Sequence, residues 1–352
     1  MEDVTSHAID LIEAAYGLEG SDSDWLAHLI DVGAPVLDHG QGIFAFNYVH
    51  PARNGGGADV GHNGLHLRSL PTNFLDRLDA ARAVIPPEVF HAITLPGFAG
   101  TWTEVCRDHP EISPRFLELL GYSDMFAIFA CDPNAVGVFI GAPLSAAKTL
   151  SRKSRELCQM VAAHIASAFR LRHALKETDM RPGGHSTGFP EEAEAVFDAS
   201  GFRLIDSLGP AKEATAAEIL RAAARSVDAA RGELRNDDPR QAIETWTALV
   251  SGRWSMLDWF DTDGRRYILA VPNPPEVHDP RGLTEQERQV VAYVALGERN
   301  KLVGYRLGLS PSRISSLLRR AMRKLGVKSR AALIHKVRPM GVPVAKGDEP
   351  VA

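Results

Sequence analysis

The tightest constraint on this chain lies near its C-terminal end. There, start and stop signals for four short helices follow one another from Leu283 to Val337. Thr284 with Glu287 three residues on forms a capping box ahead of an apolar face of Val290, Val291, Val294 and Ala295, which Gly297 closes. Asn300 is the expected cap of a second helix containing Leu302, Val303 and Leu307, and Gly308-Leu309-Ser310 makes a tight turn. Ser310 caps a third helix with Pro311 at its first position, and Ile314, Leu317, Leu318, Ala321, Met322 and Leu325 form its buried stripe. Gly326 ends that helix, and Ser329 to Val337 make a fourth. Two helices across a short glycine-bearing turn, the second of them basic, are the parts of a helix-turn-helix.

Charge supports the same reading only when it is resolved along the chain. The whole chain of 352 residues carries a formal net charge of −5, which as an average argues against a nucleic-acid partner. Arg281 to Arg338, however, holds 14 Lys/Arg against 3 Asp/Glu, a charge of +11. Met1 to Pro280 holds 24 against 39, a charge of −15. The third helix is narrow enough for a major groove, and its outward residues include Arg313, Ser315, Ser316, Arg319, Arg320 and Arg323. Such a cluster displaces counterions from phosphates, and its Ser and Arg side chains can bond base edges.

The segment resembles the LuxR/NarL/FixJ type of helix-turn-helix. The matching residues are Leu283-Thr284-x-x-Glu287, Gly297-x-x-Asn300-Lys301, Leu307-x-Leu309-Ser310, Ile314 and Lys324-Leu325-Gly326-Val327-Lys328-Ser329-Arg330. The resemblance implies an all-α four-helix DNA-binding domain over 281–338 and double-stranded DNA as the partner. It places base reading on Ser315, Ser316 and Arg319, and backbone contacts on Lys301 and Lys324. The chain departs from the family pattern at Arg313, Ser315 and Leu317, so no operator sequence follows from the likeness.

The rest of the chain reads as α+β. Residues 1–178 begin with two amphipathic helices, the second expected from Trp25 to Val32, followed by a strand over 42–50. A glycine-rich stretch, Arg53 to Gly64, is read as a loop, and a helix is expected over 73–85. Met125–Ala130 and Val136–Pro143 should pair as a hairpin, and a long helix should run from Ser151 to about Glu177. In element order this region resembles a GAF domain. After a Pro/Gly/Ser linker, residues 191–273 offer a hairpin, an alanine-rich helix from Thr215, a second helix from Arg240, and a hairpin over Trp254–Val271. That order is PAS-like. The expected fold is therefore multidomain, with two sensory domains ahead of the helix-turn-helix.

Other features carry less. The Arg53–Gly64 loop lacks the G-x-x-x-x-G-K-[ST] pattern of a phosphate cradle and suits a lid or flexible loop. His50, His62 and His66 lack the ligand geometry of a metal site, so no metal and no cofactor are expected. Cys106, Cys131 and Cys158 are odd in number and without a C-x-x-C, which fits a reducing cytoplasm. No apolar run approaches a membrane span and no secretory leader is evident. Phe44, Phe46, Tyr48, Phe126, Phe129 and Phe139 read as core or as the lining of a ligand cavity.

The expected function is a DNA-binding transcriptional regulator, not an enzyme. Its acidic N-terminal portion would respond to a small molecule or a protein, and could dock on the basic domain and mask it. A homodimer is expected because one small domain spans few base pairs. The competing readings are an interaction regulator whose helix-turn-helix no longer reads DNA, and an enzyme with an appended DNA-binding domain.

Overall fold

The structure, a computed structural model, describes residues 3–49, 63–86, 89–90, 98–107, 109–133, 136–177, 189–275, 277 and 282–337. The chain opens with helices α1 (Asp3–Ala15) and α2 (Asp22–Leu37). Ser21 and Asp24 form a capping box at the start of α2, which continues past the expected end at Val32 and through Pro35. Ala34 and Leu37 are buried there. Proline near a helix end forfeits one backbone bond, a loss that burying this last turn offsets.

Strands β1 (Ile43–Val49), β2 (Asn63–Arg68), β3 (Ala99–Thr101), β4 (Asp124–Cys131) and β5 (Val136–Leu144) form one antiparallel sheet in the order β2-β1-β5-β4-β3. Strand β2 starts inside the stretch read from sequence as a loop. It is an edge strand paired only to β1, and its alternation of Leu65 and Leu67 with polar residues is too short to stand out. His66 lies on it, whereas His50, His62 and most of the Arg53–Gly64 stretch fall outside the described residues. The expected β4–β5 hairpin is present, with Ile128 opposite Ile140.

The sheet is covered on both faces, so β4 is buried along its whole length. One face takes α3 (Phe74–Arg82), the single-turn α4 (Trp102–Val105) and α5 (Ile112–Leu120). It is packed with aromatics: Phe139 lies 4.9 Å from Phe46 and 4.8 Å from Phe129, ring centre to ring centre. Gly141 makes room for this packing, since a Cβ there would sit 2.5 Å from the Phe44 ring. The other face takes α1, α2 and the long helix α6 (Arg152–Glu177).

A second antiparallel sheet, in the order β7-β6-β9-β8, is built from β6 (Ala195–Asp198), β7 (Leu204–Ser207), β8 (Trp254–Phe260) and β9 (Arg266–Pro272). Between β7 and β8 come α7 (Ala214–Arg231), α8 (Glu233–Asp237) and α9 (Pro239–Thr245). The two sheets share a core. One hydrophobic cluster runs from Ile9 and Leu29 through Ile140 and Ile165 to Phe197, Leu220 and Trp254. Leu171 and Leu175, near the end of α6, pack instead against Leu269 on the opposite face of the second sheet.

Arg172 pins this arrangement. Its buried guanidinium donates to the carbonyls of Gly17 (3.0 Å), Glu19 (3.1 Å), Gly20 (3.0 Å) and Ser21 (3.2 Å). These carbonyls lie in the turn between α1 and α2, so one charged side chain closes the helical hairpin onto α6.

Candidate nucleic-acid interface

The four expected C-terminal helices are α10 (Glu285–Ala295), α11 (Asn300–Leu307), α12 (Pro311–Lys324) and α13 (Arg330–Val337). The Thr284–Glu287 capping box is formed in both directions. The Ser310 hydroxyl accepts from the Arg313 amide at 3.2 Å, with Pro311 at the first helical position. Gly308 and Gly326 close α11 and α12 at φ of 61° and 65°, where a side chain would be strained. One expectation changes: the N-cap of α11 is Arg299, and Asn300 is its first helical residue. The Asn300 side chain ties helices together, donating to Ser315 at 3.3 Å and accepting from Arg330 at 2.8 Å.

The exposed surface of α12 divides into two rows. Arg313, Arg320 and Lys324 lean toward the start of α10. Arg313 donates to Gln286 at 3.1 Å, Arg320 lies 3.5 Å from Glu287, and Lys324 donates to Glu287 at 2.7 Å. Burial pushes the Glu287 carboxyl up, but Lys324 and the Thr284 amide outweigh it and hold it below the ordinary range. Ser316, Arg319 and Arg323 point outward, and among the described residues neither Arg319 nor Arg323 forms an ion pair. This second row is the chemically free edge of the helix. Ser315 is half-buried: its hydroxyl donates back to the Pro311 carbonyl at 2.9 Å and faces α11. The structure therefore brings Ser316 and Arg319 together on the open face and sets Ser315 aside from it.

Lys301 sits at the start of α11, and its ammonium lies 3.7 Å from Glu156 on α6 and 3.8 Å from Glu244 on α9. Both carboxylates belong to the acidic body. The lysine expected to meet a DNA phosphate thus already has two anionic neighbours.

The body and the four-helix domain interlock behind the open face. Tyr305 of α11 is part of the body's core cluster, while Leu249 of the body is part of the four-helix core. The Tyr305 hydroxyl donates to the Ile243 carbonyl at 2.7 Å. It also lies 2.8 Å from His164 Nε2, which faces the Trp246 carbonyl at 2.8 Å. The Tyr16 hydroxyl stands 3.1 Å from the other ring nitrogen. This set is satisfied by a neutral ring carrying its proton on Nε2, and burial pulls the His164 pKa down to about 3.

The turn glycine Gly308 rests directly on body backbone, where a Cβ would be 2.0 Å from the Leu249 carbonyl oxygen. Nearby, the Gly252 amide donates to the Leu307 carbonyl at 2.5 Å, and Gln289 donates to the Gly252 carbonyl at 2.9 Å.

A buried polar relay joins the first sheet to α10. Asp132, just after β4, pairs with Arg170 of α6 and accepts from the Tyr293 hydroxyl at 3.1 Å. Arg170 also donates to Asn273, which fixes the start of the linker to the four-helix domain. Arg306 pairs with Glu298 at 2.7 Å, and its guanidinium stands 5.2 Å from the Tyr293 ring centre. Burial pushes the Glu298 carboxyl up to about 7 against the pull of Arg306. None of these junction residues carried a motif. Their signal in the sequence was only isolated polar residues, on helices for Arg170, Tyr293 and Arg306 and between elements for Asp132, Asn273 and Glu298.

No helix among the described residues is long and apolar enough to cross a membrane. Nor does any group of three His, Cys, Asp or Glu among them stand where it could hold a metal ion. All three cysteines are buried and free.

Residues 281–337 match the family model described as bacterial regulatory proteins, luxR family. The match coincides with the four helices and covers about one-sixth of the chain. This segment is a LuxR-type helix-turn-helix domain. No curated protein matches the chain.

Proposed function

We infer that the protein, which carries a LuxR-type helix-turn-helix over residues 281–337, is a DNA-binding regulator. We propose that it acts as a transcriptional regulator, not an enzyme, binding duplex DNA as a two-fold dimer through α12. Ser316 and Arg319 read bases, while Arg313, Arg320, Arg323, Lys301 and Lys324 meet phosphates. The observation that carries this is the open row Ser316–Arg319–Arg323 on a helix held by a complete four-helix core. Unpaired arginines on a helix of groove-fitting width bond guanine edges and phosphates.

The acidic body controls this domain through the interlocked junction. Masking takes a different form from simple coverage of the reading helix. The body seats behind α11, leaves the outer face of α12 open, and competes for Lys301 through Glu156 and Glu244. The aromatic face of the first sheet is filled by its own side chains among the described residues.

The test is selection of duplexes from a random-sequence library by the full chain, followed by salt titration. A selected motif whose affinity falls steeply with salt is expected. No enrichment and no salt-dependent binding would overturn the reading.

A further inference from the structure

Among the described residues only four large apolar side chains are exposed, and three fall within one short stretch of the chain, from β7 to α7. Ile205 on β7 is 41% exposed, Leu208 just after it 43%, and Ile219 on α7 47%. Strand β7 is an edge strand, paired to β6 alone. It carries a bulge: Val196 opposes Asp206 and Phe197 opposes Leu204, which leaves Ile205 out of the ladder. A bulge blunts an edge against strand addition, which leaves the exposed face of helix α7, the next long element in the chain, as the docking element.

Helix α7 buries one stripe, Ala216, Leu220, Ala224 and Val227, against the body. Its opposite face presents Glu218, Ile219, Ala222 and Arg225 to solvent. Glu218 forms no ion pair among the described residues, and Arg225 only overhangs the Phe202 ring at 5.8 Å. Glu218 and Arg225 are seven residues apart, two turns on the same face, with Ala222 between them.

We infer that α7 is the dimerisation surface of the protein, pairing antiparallel with α7 of a second copy about a two-fold axis near Ala222. The axis places Glu218 of each copy beside Arg225 of the other, so the charges complement themselves twice. Ala222 lets the helices approach closely, and Ile219 is buried from both sides. A second copy related by two-fold symmetry uses both charges at once, which is the property of an isologous contact. The inference rests on the two-fold reading of DNA proposed above, because half-sites are read in pairs when the protein itself is paired.

Sedimentation equilibrium of the full chain without DNA tests it independently of DNA reading. The wild type should be dimeric at micromolar concentration. E218R and R225E should each weaken the dimer roughly tenfold, because each creates two like-charge contacts. The double variant E218R/R225E should recover to within about threefold of wild type. I219E should weaken the dimer more than either single reversal. A222C, at the axis, should form a disulfide-linked dimer on mild oxidation, a readout that does not depend on the charge variants folding well. A wild type that stays monomeric would overturn the inference and give the patch to another partner. So would a dimer insensitive to all the substitutions, or a double variant no better than the singles. DNA selection that succeeds in any of these cases would leave the DNA-binding reading standing.

Discussion

If the body restrains DNA binding through Lys301, removing the two carboxylates beside it should tighten binding. The perturbation is Glu156→Gln with Glu244→Gln. Their oxygens lie 3.7 and 3.8 Å from the lysine nitrogen. A phosphate bonded to the same ammonium would stand about 7 Å from each carboxylate. At that separation and a water-like dielectric, each pair of negative charges repels by about 0.6 kcal/mol, or roughly 1 kcal/mol for both. Lys301 is 60% exposed and Glu244 42%, so solvent screening keeps the effect near that size and no larger. Loss of competition for the lysine acts in the same direction. The double variant should therefore bind duplex DNA about fivefold more tightly than wild type at low salt. The gain should shrink as salt rises toward 0.3 M. The assay is fluorescence anisotropy with a labelled duplex across a salt series. Equal affinity at every salt would refute the argument, as it would mean that no phosphate approaches Lys301 next to the body. Lys301→Ala serves as the control: on that background the two Gln substitutions should lose most of their effect.

Further outcomes follow from the junction. Neutral His164 has a folded pKa near 3 against 6.5 unfolded, so the unfolded chain binds the extra proton as pH falls. Stability should drop below pH 6.5, by about 2 kcal/mol at pH 5, and His164→Gln should flatten that part of the denaturant-midpoint profile. The Glu287 carboxyl lies below its ordinary value, so its contribution is present above the unfolded pKa. That contribution is lost as pH falls through the folded pKa, which a helix-turn-helix reporter such as Tyr293 fluorescence would detect at acid pH. Gly308→Ala places a Cβ 2.0 Å from the Leu249 carbonyl oxygen at a φ of 61°, so it should cost at least 2 kcal/mol in thermal unfolding. Tyr305→Phe leaves the Ile243 carbonyl without its donor and should cost about 1–3 kcal/mol.

The reading head was legible because its signals are local. Capping boxes, turn glycines and a 3.6-residue apolar stripe are written in adjacent positions, and the charge of the segment stands out once it is separated from the body. Asn300 shows the limit of that logic. Asparagine is a residue type that caps helices, yet here its side chain serves a contact with Arg330, thirty residues on. Ser315 shows a related limit: its spacing puts it on the reading helix, while the bonds its hydroxyl makes to Pro311 and Asn300 are a property of helix packing. The junction was not legible at all. Tyr305, Leu249, His164 and Asp132 are far apart in sequence, and each alone looks like an ordinary core or turn residue. Their pairing depends on where α6 carries one sheet relative to the other. The shared core of the two sheets is hidden for the same reason, since the linker over 179–190 reads as a boundary between separate units.

The central claim is that α12 reads sequence through its open row. The most direct measurement compares Arg319→Ala with wild type on a selected duplex and on a scrambled one at the same salt. The account predicts a loss of about 1–3 kcal/mol on the selected duplex and a much smaller one on the scrambled duplex. Equal losses on both would contradict it and reduce Arg319 to a phosphate contact.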